Sequence, residues 1–431
     1  MKQGLYVLIL LLFSCKKPGD FNIHRKNNPD IIWSKTYGGV RGEFVESLCK
    51  TTDGGFVLAG TTTSDDFSMV PGKLSTNFLI IKVNDQGVPQ WKKTFGGEAG
   101  DAANAVAPST DGNFFIAGKT NSSFGQVTGF HAASNTDDAW VIKIDGDGNL
   151  LWQKTLGGFK NENANSVLST RDGGCIIVGG TKSTDGDLVG MKEGLWIVKL
   201  SSQGTIQWQK TYGSNSRAEI AKSIVEAKDG NYLITGVAYD GGGDFSTSTY
   251  HGSNDVLVLK IDGVGNLLWQ KLIGGSGMDW GQSVVVCKDG GSVIAGFTTS
   301  KDGDVTGLHY DRKVGLQDDM WIVKLDAVGN IVWQKTMGGI NRDRGFSIME
   351  NALGHFVAIG FRNDDVYAVK LSVSGTIIWE KTFGGTGIDE GKGIAETSDG
   401  NLIFLGKTDS NDYDIDTNNG WFDYWLVKFK D

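Results

Sequence analysis

The chain has 431 residues, 39% hydrophobic and 21% charged, the balance of a globular protein with a packed core. Its formal charge of −9 leaves no basic stripe to displace counterions from phosphates, which argues against a nucleic-acid partner. Sixty-three glycines against five prolines, without a collagen period, imply many tight turns and therefore many short strands.

Lys2 opens the chain, and Leu5 through Phe13 form an almost unbroken apolar run. The run is well short of the roughly 20 residues that a membrane-spanning helix needs and has the length of a signal-peptide core. It ends in Leu12-Phe13-Ser14-Cys15, which resembles the lipobox of bacterial lipoproteins. That resemblance implies cleavage before Cys15 and lipidation of its thiol. Residues 1–14 are then a signal peptide and 15–30 a flexible tether. The expected location is the bacterial cell envelope, reached through the lipid anchor alone, with the periplasmic side and the cell surface both open.

From residue 31 onward one unit repeats. Trp-x-Lys recurs at Trp33, Trp91, Trp152, Trp208, Trp269, Trp333 and Trp379. In the third copy, Trp152-Gln153-Lys154-Thr155-Leu156-Gly157-Gly158 is followed by Asn165-Ser166-Val167 and Asp172-Gly173-Gly174. Ile176 to Thr181 and Leu195 to Leu200 complete the unit. These are four strand-length segments with no 3.6-residue period, joined by turn chemistry such as Asp111-Gly112 and Asp229-Gly230. Four strands per repeat and seven repeats predict an all-β, seven-bladed β-propeller over 31–431. The Lys-Leu-Asp…Gly-Asn…Trp hairpin resembles the third-to-fourth strand turn of quinoprotein-type blades, which makes the Trp-x-Lys strand outermost. The chain opens with a lone outer strand and ends with a third strand, so the N-terminal strand is expected to close the last blade and remove the exposed edges. The seven tryptophans are expected to pack between blades.

The pattern Trp-x-Lys-Thr-x-Gly-Gly, an acid, Ser-Val, Asp-Gly-Gly, Ala-Gly-x-Thr and Asp-x-Trp-x-Val-Lys resembles the secreted bacterial β-propeller repeat family, SBBP. The resemblance covers 31–431 and implies a fold; it implies little about activity.

Loops on a rigid scaffold are where binding resides, so the long connections before each Asp-x-Trp-type strand mark the face to inspect. The sixth repeat leaves almost no connection there (Arg362-Asn363-Asp364-Asp365), and that gap is expected to shape an off-centre cleft. An acid stands four residues before the Ser position of each inner strand: Glu43, Asp101, Glu162, Glu219, Asp279, Asp343 and Asp389. These acids form either a carboxylate ring at the channel mouth or a set of local caps accepting backbone N–H bonds. Their presence in every repeat favours the caps. His131, Tyr250, His251, His309, Tyr310 and Trp421 break the symmetry in the long loops and are the candidate ligand-binding residues. The competing reading is that they only pack the loops together.

No cofactor is called for, and calcium is the one candidate ion. Asp145-Gly146-Asp147-Gly148-Asn149 resembles the start of a calcium loop, but its equivalents keep the glycine and lose the ligands, as a turn would. The triplets Asp185-Gly186-Asp187 and Asp302-Gly303-Asp304 fit better, although each alone has too few carboxylates. Cys49, Cys175 and Cys287 sit in separate repeats with no close spacing, as buried free thiols do. The chain has five histidines, with neither a Gly-x-Ser-x-Gly elbow nor a His-Glu-x-x-His helix, and the balance is against an enzyme. The expected function is a monomeric envelope lipoprotein that binds a glycan or a protein without catalysis. Two alternatives stand beside it. One is a glycoside hydrolase-like enzyme or its accessory subunit, which needs two loop-face carboxylates roughly 5–9 Å apart. The other is a structural part of an envelope complex, which needs a flat apolar patch.

Overall fold

The computed structural model describes residues 28, 30–65, 75–131, 136–213, 219–309, 317–339 and 341–431. Cys15, the signal peptide, nearly all of the tether and Tyr310 lie outside the described residues.

Seven four-stranded antiparallel sheets follow one another around a ring, giving a seven-bladed β-propeller. Blades one to six span Glu43–Phe95, Asp101–Leu156, Glu162–Tyr212, Ile220–Ile273, Asp279–Met337 and Asp343–Phe383. Blade seven takes three strands from Asp389–Glu396, Leu402–Thr408 and Asp423–Phe429. Its outermost strand is Ile31–Tyr37, which pairs antiparallel with Asp423–Phe429 from Ile31↔Phe429 to Tyr37↔Tyr424. Among the described residues no helix is long and apolar enough to cross a membrane.

Strand chemistry follows position in the blade. The second and third strands are buried on both faces and read as continuous apolar runs, for example Cys175–Thr181 and Gly194–Leu200 in blade three. The outer strands are only half-buried. Each hydrophobic cluster spans a junction: Phe115 and Val141 of blade two pack with Ile177 and Trp196 of blade three.

Three repeated contacts explain the motif. Trp152 of blade two lies over Gly204 in the third-to-fourth strand turn of blade three, where φ is +79° and a Cβ would come within 3.0 Å of the ring. The Trp152 indole N–H donates to the Ser202 carbonyl in the same turn, at 2.9 Å. Blade seven has no such turn, because its outer strand comes from the other end of the chain. Trp379, which faces that site, accordingly has an unpartnered indole N–H. The third-strand lysine reaches the aspartate of its own first hairpin, as in Lys143–Asp111 at 2.7 Å and Lys199–Asp172 at 2.8 Å. In blade six that turn carries Asn351 and no aspartate, and Lys370 pairs with Asp431 at 2.7 Å instead. Finally, Trp140, Trp196 and Trp321 of the third strands donate to Gln153, Gln209 and Gln334 of the Trp-Gln-Lys strands.

Cys49, Cys175 and Cys287 are free thiols, and burial pushes them up to about 12, about 12 and about 11.

Candidate functional site

The inner-strand acids are fully buried, between 0 and 1% exposed. Each described partner set is local to its junction. Glu162 accepts the Gly158 N–H at 2.9 Å and the Thr181 hydroxyl at 2.8 Å; Glu43 accepts the Gly39 N–H and the Thr62 hydroxyl in the same way. Asp101, Asp279 and Asp389 each accept the N–H of the glycine four residues earlier at 2.8 Å, and Asp343 does so while also taking the Arg362 guanidinium at 2.9 Å. Glu219 is equally buried, beside Gly213.

A second acid faces the first across the blade boundary. The aspartate that opens the third strand of one blade and the inner-strand acid of the next approach the same glycine: Asp138 and Glu162 at Gly157, Asp255 and Asp279 at Gly274, Asp365 and Asp389 at Gly384. A Cβ on Gly157 would lie 2.7 Å from both carboxylates, which explains the first glycine of the Gly-Gly motif. Burial pushes Asp101, Asp343, Asp389 and Asp423 up to about 6 and Asp365 up to about 8. All of these carboxyls are buried.

His131, His251 and His309 stand on three different blades and are not brought together. Each places its backbone N–H and its Nδ1 on the third-strand aspartate of its own blade: Asp138, Asp255 and Asp319, with ring contacts of 2.9 Å. His131 and His251 also face the next blade, with Nε2 at 3.6 Å from Asp187 and 3.8 Å from Asp304. His309 is 50% exposed, and its described ion pair is the one to Asp319. Tyr250 donates within its own loop to Ser253, and Trp421 is 79% exposed at the junction of blades seven and one. His251 lines a groove of about 440 Å³ between blades four and five.

The two Asp-Gly-Asp triplets clasp neighbouring blades. Asp185 and Asp187 accept the N–H groups of Phe159 and Gly157; Asp302 and Asp304 accept those of Ser276 and Gly274. Among the described residues no group of three or more His, Cys, Asp or Glu side chains is placed to hold a metal ion.

The gap at blade six does open a cleft. Between Arg362 and Asp365 the connection is a two-residue turn in which Asn363 and Asp364 have φ of 52° and 68°, as a type I′ hairpin requires. The equivalent connection elsewhere is far longer, from Thr181 to Gly194 even at its shortest. The space left is a cleft of about 480 Å³ lined by Gln317, Asn341, Asn363, Arg342, Arg344, Phe346, Phe361 and Glu390, among others. Arg344 is paired with Asp318 and lies 4.4 Å over the Phe297 ring; Arg342, 3.7 Å from the same carboxylate, is 70% exposed.

Phe346 joins this cleft to a second space that the sequence reading missed. A cavity of about 270 Å³ on the propeller axis is lined by one residue from each inner strand: Glu46, Asn104, Asn165, Lys222, Gln282, Phe346 and Lys392. Each is the residue skipped where the inner strand shifts register, as Asn165 is between Ala164 and Ser166. The bulge leaves it out of the ladder and aims it at the axis. Three residues after each acid lies an inner-strand column whose chemistry changes from repeat to repeat, but the column directly after the acid changes as much, so variability alone did not single it out.

No family model matches the chain. A stretch of 129 residues is 26% identical to "Regulatory protein FlaEY" of Caulobacter vibrioides, covering 29% of this chain and only 14% of that protein. Among solved structures, a protein of unknown function from Dyadobacter fermentans aligns over 93% of this chain and 98% of its own, with a TM-score of 0.50 and 12% identity. BamB from Moraxella catarrhalis aligns over 93% and 99%, with a TM-score of 0.45 and 13% identity. At such identities the likeness is one of fold.

Proposed function

We propose that the protein is a non-catalytic binding module of the bacterial cell envelope, lipid-anchored at Cys15, and that its ligand is a glycan seated in the blade-six cleft. One observation carries the reading: the repeat breaks at a single rim position, and the break leaves a cleft with sugar-binding chemistry. Amides at Gln317, Asn341 and Asn363 suit hydroxyls, and the phenyl faces of Phe346 and Phe361 suit the C–H faces of sugar rings. The lipobox-like Leu12–Cys15 and the SBBP-like repeat support the envelope placement. A protein segment is the second reading, favoured by Val40, Phe124, Phe159, Val189 and Trp421, which are 64–79% exposed in loops of the same face.

The test is a glycan array probed with residues 28–431, with and without calcium. Specific binding that is lost in Phe361→Ala and Arg342→Ala, and kept in Trp421→Ala, supports the cleft. An array blank in both conditions overturns the glycan reading and turns the search to protein partners.

A further inference from the structure

The seven residues on the propeller axis differ from the residues on either side of them. Their flanking positions are small and repetitive: Ala103 and Ala105, Ala164 and Ser166, Ala221 and Ser223, Gly281 and Ser283. A residue held for packing would be equally uniform. Instead the ring presents one carboxylate, two ammonium groups, three amides and one phenyl ring to a shared cavity.

Their charges are not all satisfied. Lys392 is neutralised by Glu390 at 3.1 Å and lies 4.0 Å over the Phe346 ring. Lys222, on blade four, makes no ion pair or hydrogen bond with a described residue and lies 5.8 Å over the Trp280 ring; Glu46, on blade one, likewise makes no ion pair with a described residue and is exposed to the cavity's solvent. Burial pushes the Lys222 ammonium below its ordinary value, and Glu46 is the principal charge opposing that shift, so the two sense each other across the cavity. Asn104 and Asn165 donate their amide N–H groups to the Ala164 and Ala221 carbonyls of the next blades, which leaves each Oδ1 as an acceptor. A part-buried ammonium in direct contact with no carboxylate is costly, and a ligand anion placed against it relieves that cost. An anion alone would be repelled by Glu46; a ligand charged at both ends answers both groups.

We propose that the axial cavity binds a small zwitterion, an α-amino acid or a dipeptide, with its carboxylate on Lys222 and its ammonium toward Glu46. Asn104, Asn165 and Gln282 supply the acceptors and donors between the two ends. The volume of about 270 Å³ falls just below the range of roughly 300–1,000 Å³ typical of drug-sized ligands, as a molecule of this size requires. The site is independent of the blade-six cleft, although Phe346 lines both.

Isothermal titration of the full chain in mild detergent with glycine, L-leucine and diglycine tests it, with acetate and methylammonium as single-ended probes. The zwitterions are expected to bind at least about tenfold more tightly than either single-ended probe, a difference of about 1.4 kcal/mol. Lys222→Gln and Glu46→Gln, on opposite sides of the ring, are each expected to lower that affinity by about tenfold or more without lowering the melting temperature. Three results would overturn the proposal: no heat from any zwitterion up to about 10 mM, acetate binding as tightly as glycine, or zwitterion binding that survives both substitutions.

Discussion

Burial pushes the Asp365 carboxyl up to about 8, and the neighbouring Asp389, Asp414 and Asp364 carboxylates add to the effect. A carboxyl raised in the folded state holds its proton more tightly there than in the unfolded chain. Stability is therefore lost as pH rises from the unfolded value near 4 toward 8. At the hairpins the sign reverses. The Thr51 hydroxyl, followed by Lys82, holds Asp53 at about 2, and its contribution is lost only as pH falls from about 4 toward 2. Together these place the stability maximum at mildly acid pH. Asp365→Asn is expected to raise unfolding free energy by about 1–3 kcal/mol at pH 8 and by nothing measurable at pH 4. Urea unfolding at the two pH values checks this, and an equal effect at both would show that ionisation is not the cause.

The hairpin is the element that the sequence declares most openly. Asp-Gly pairs, a glycine under each tryptophan and the Trp-Gln-Lys strand recur often enough to fix four strands per repeat and their order. The short connection of blade six was equally legible, because Arg362-Asn363-Asp364-Asp365 leaves no residues to spare, and the cleft it was expected to leave is there. Two features were not legible. The pairing of Asp138 with Glu162 joins residues of different blades, and only the curvature of the ring brings them over Gly157. The axial residues were hidden by the bulge: it shifts alternation by one at Asn165, so a period-two reading of the inner strand assigns the wrong face. The blade-six turn itself carries a prediction. Asp364 has φ of 68°, which a short polar side chain tolerates and a β-branched one does not. Asp364→Val should cost about 1–2 kcal/mol and Asp364→Gly nothing or less, measured by thermal unfolding.

At the scale of the whole molecule, stability rests on ring closure. The strand Ile31–Tyr37 covers the edge of Asp423–Phe429, and its Trp33 and Tyr37 lie against blade one. A chain begun at residue 38 would expose that edge, and exposed edges recruit other strands. It is expected to self-associate on size-exclusion chromatography, and a synthetic peptide of residues 30–38 should restore the monomer. A truncated chain that stays monomeric without the peptide would show that the clasp is dispensable. The same clasp also sets a timetable. Of the propeller's strands Ile31–Tyr37 is made first and its partner last, so all the strands between them must be synthesised before the outer strand of blade seven can form. Until that moment Ile31–Tyr37 of a nascent chain is an unpaired strand, and the propeller cannot finish folding before its last strand has been made.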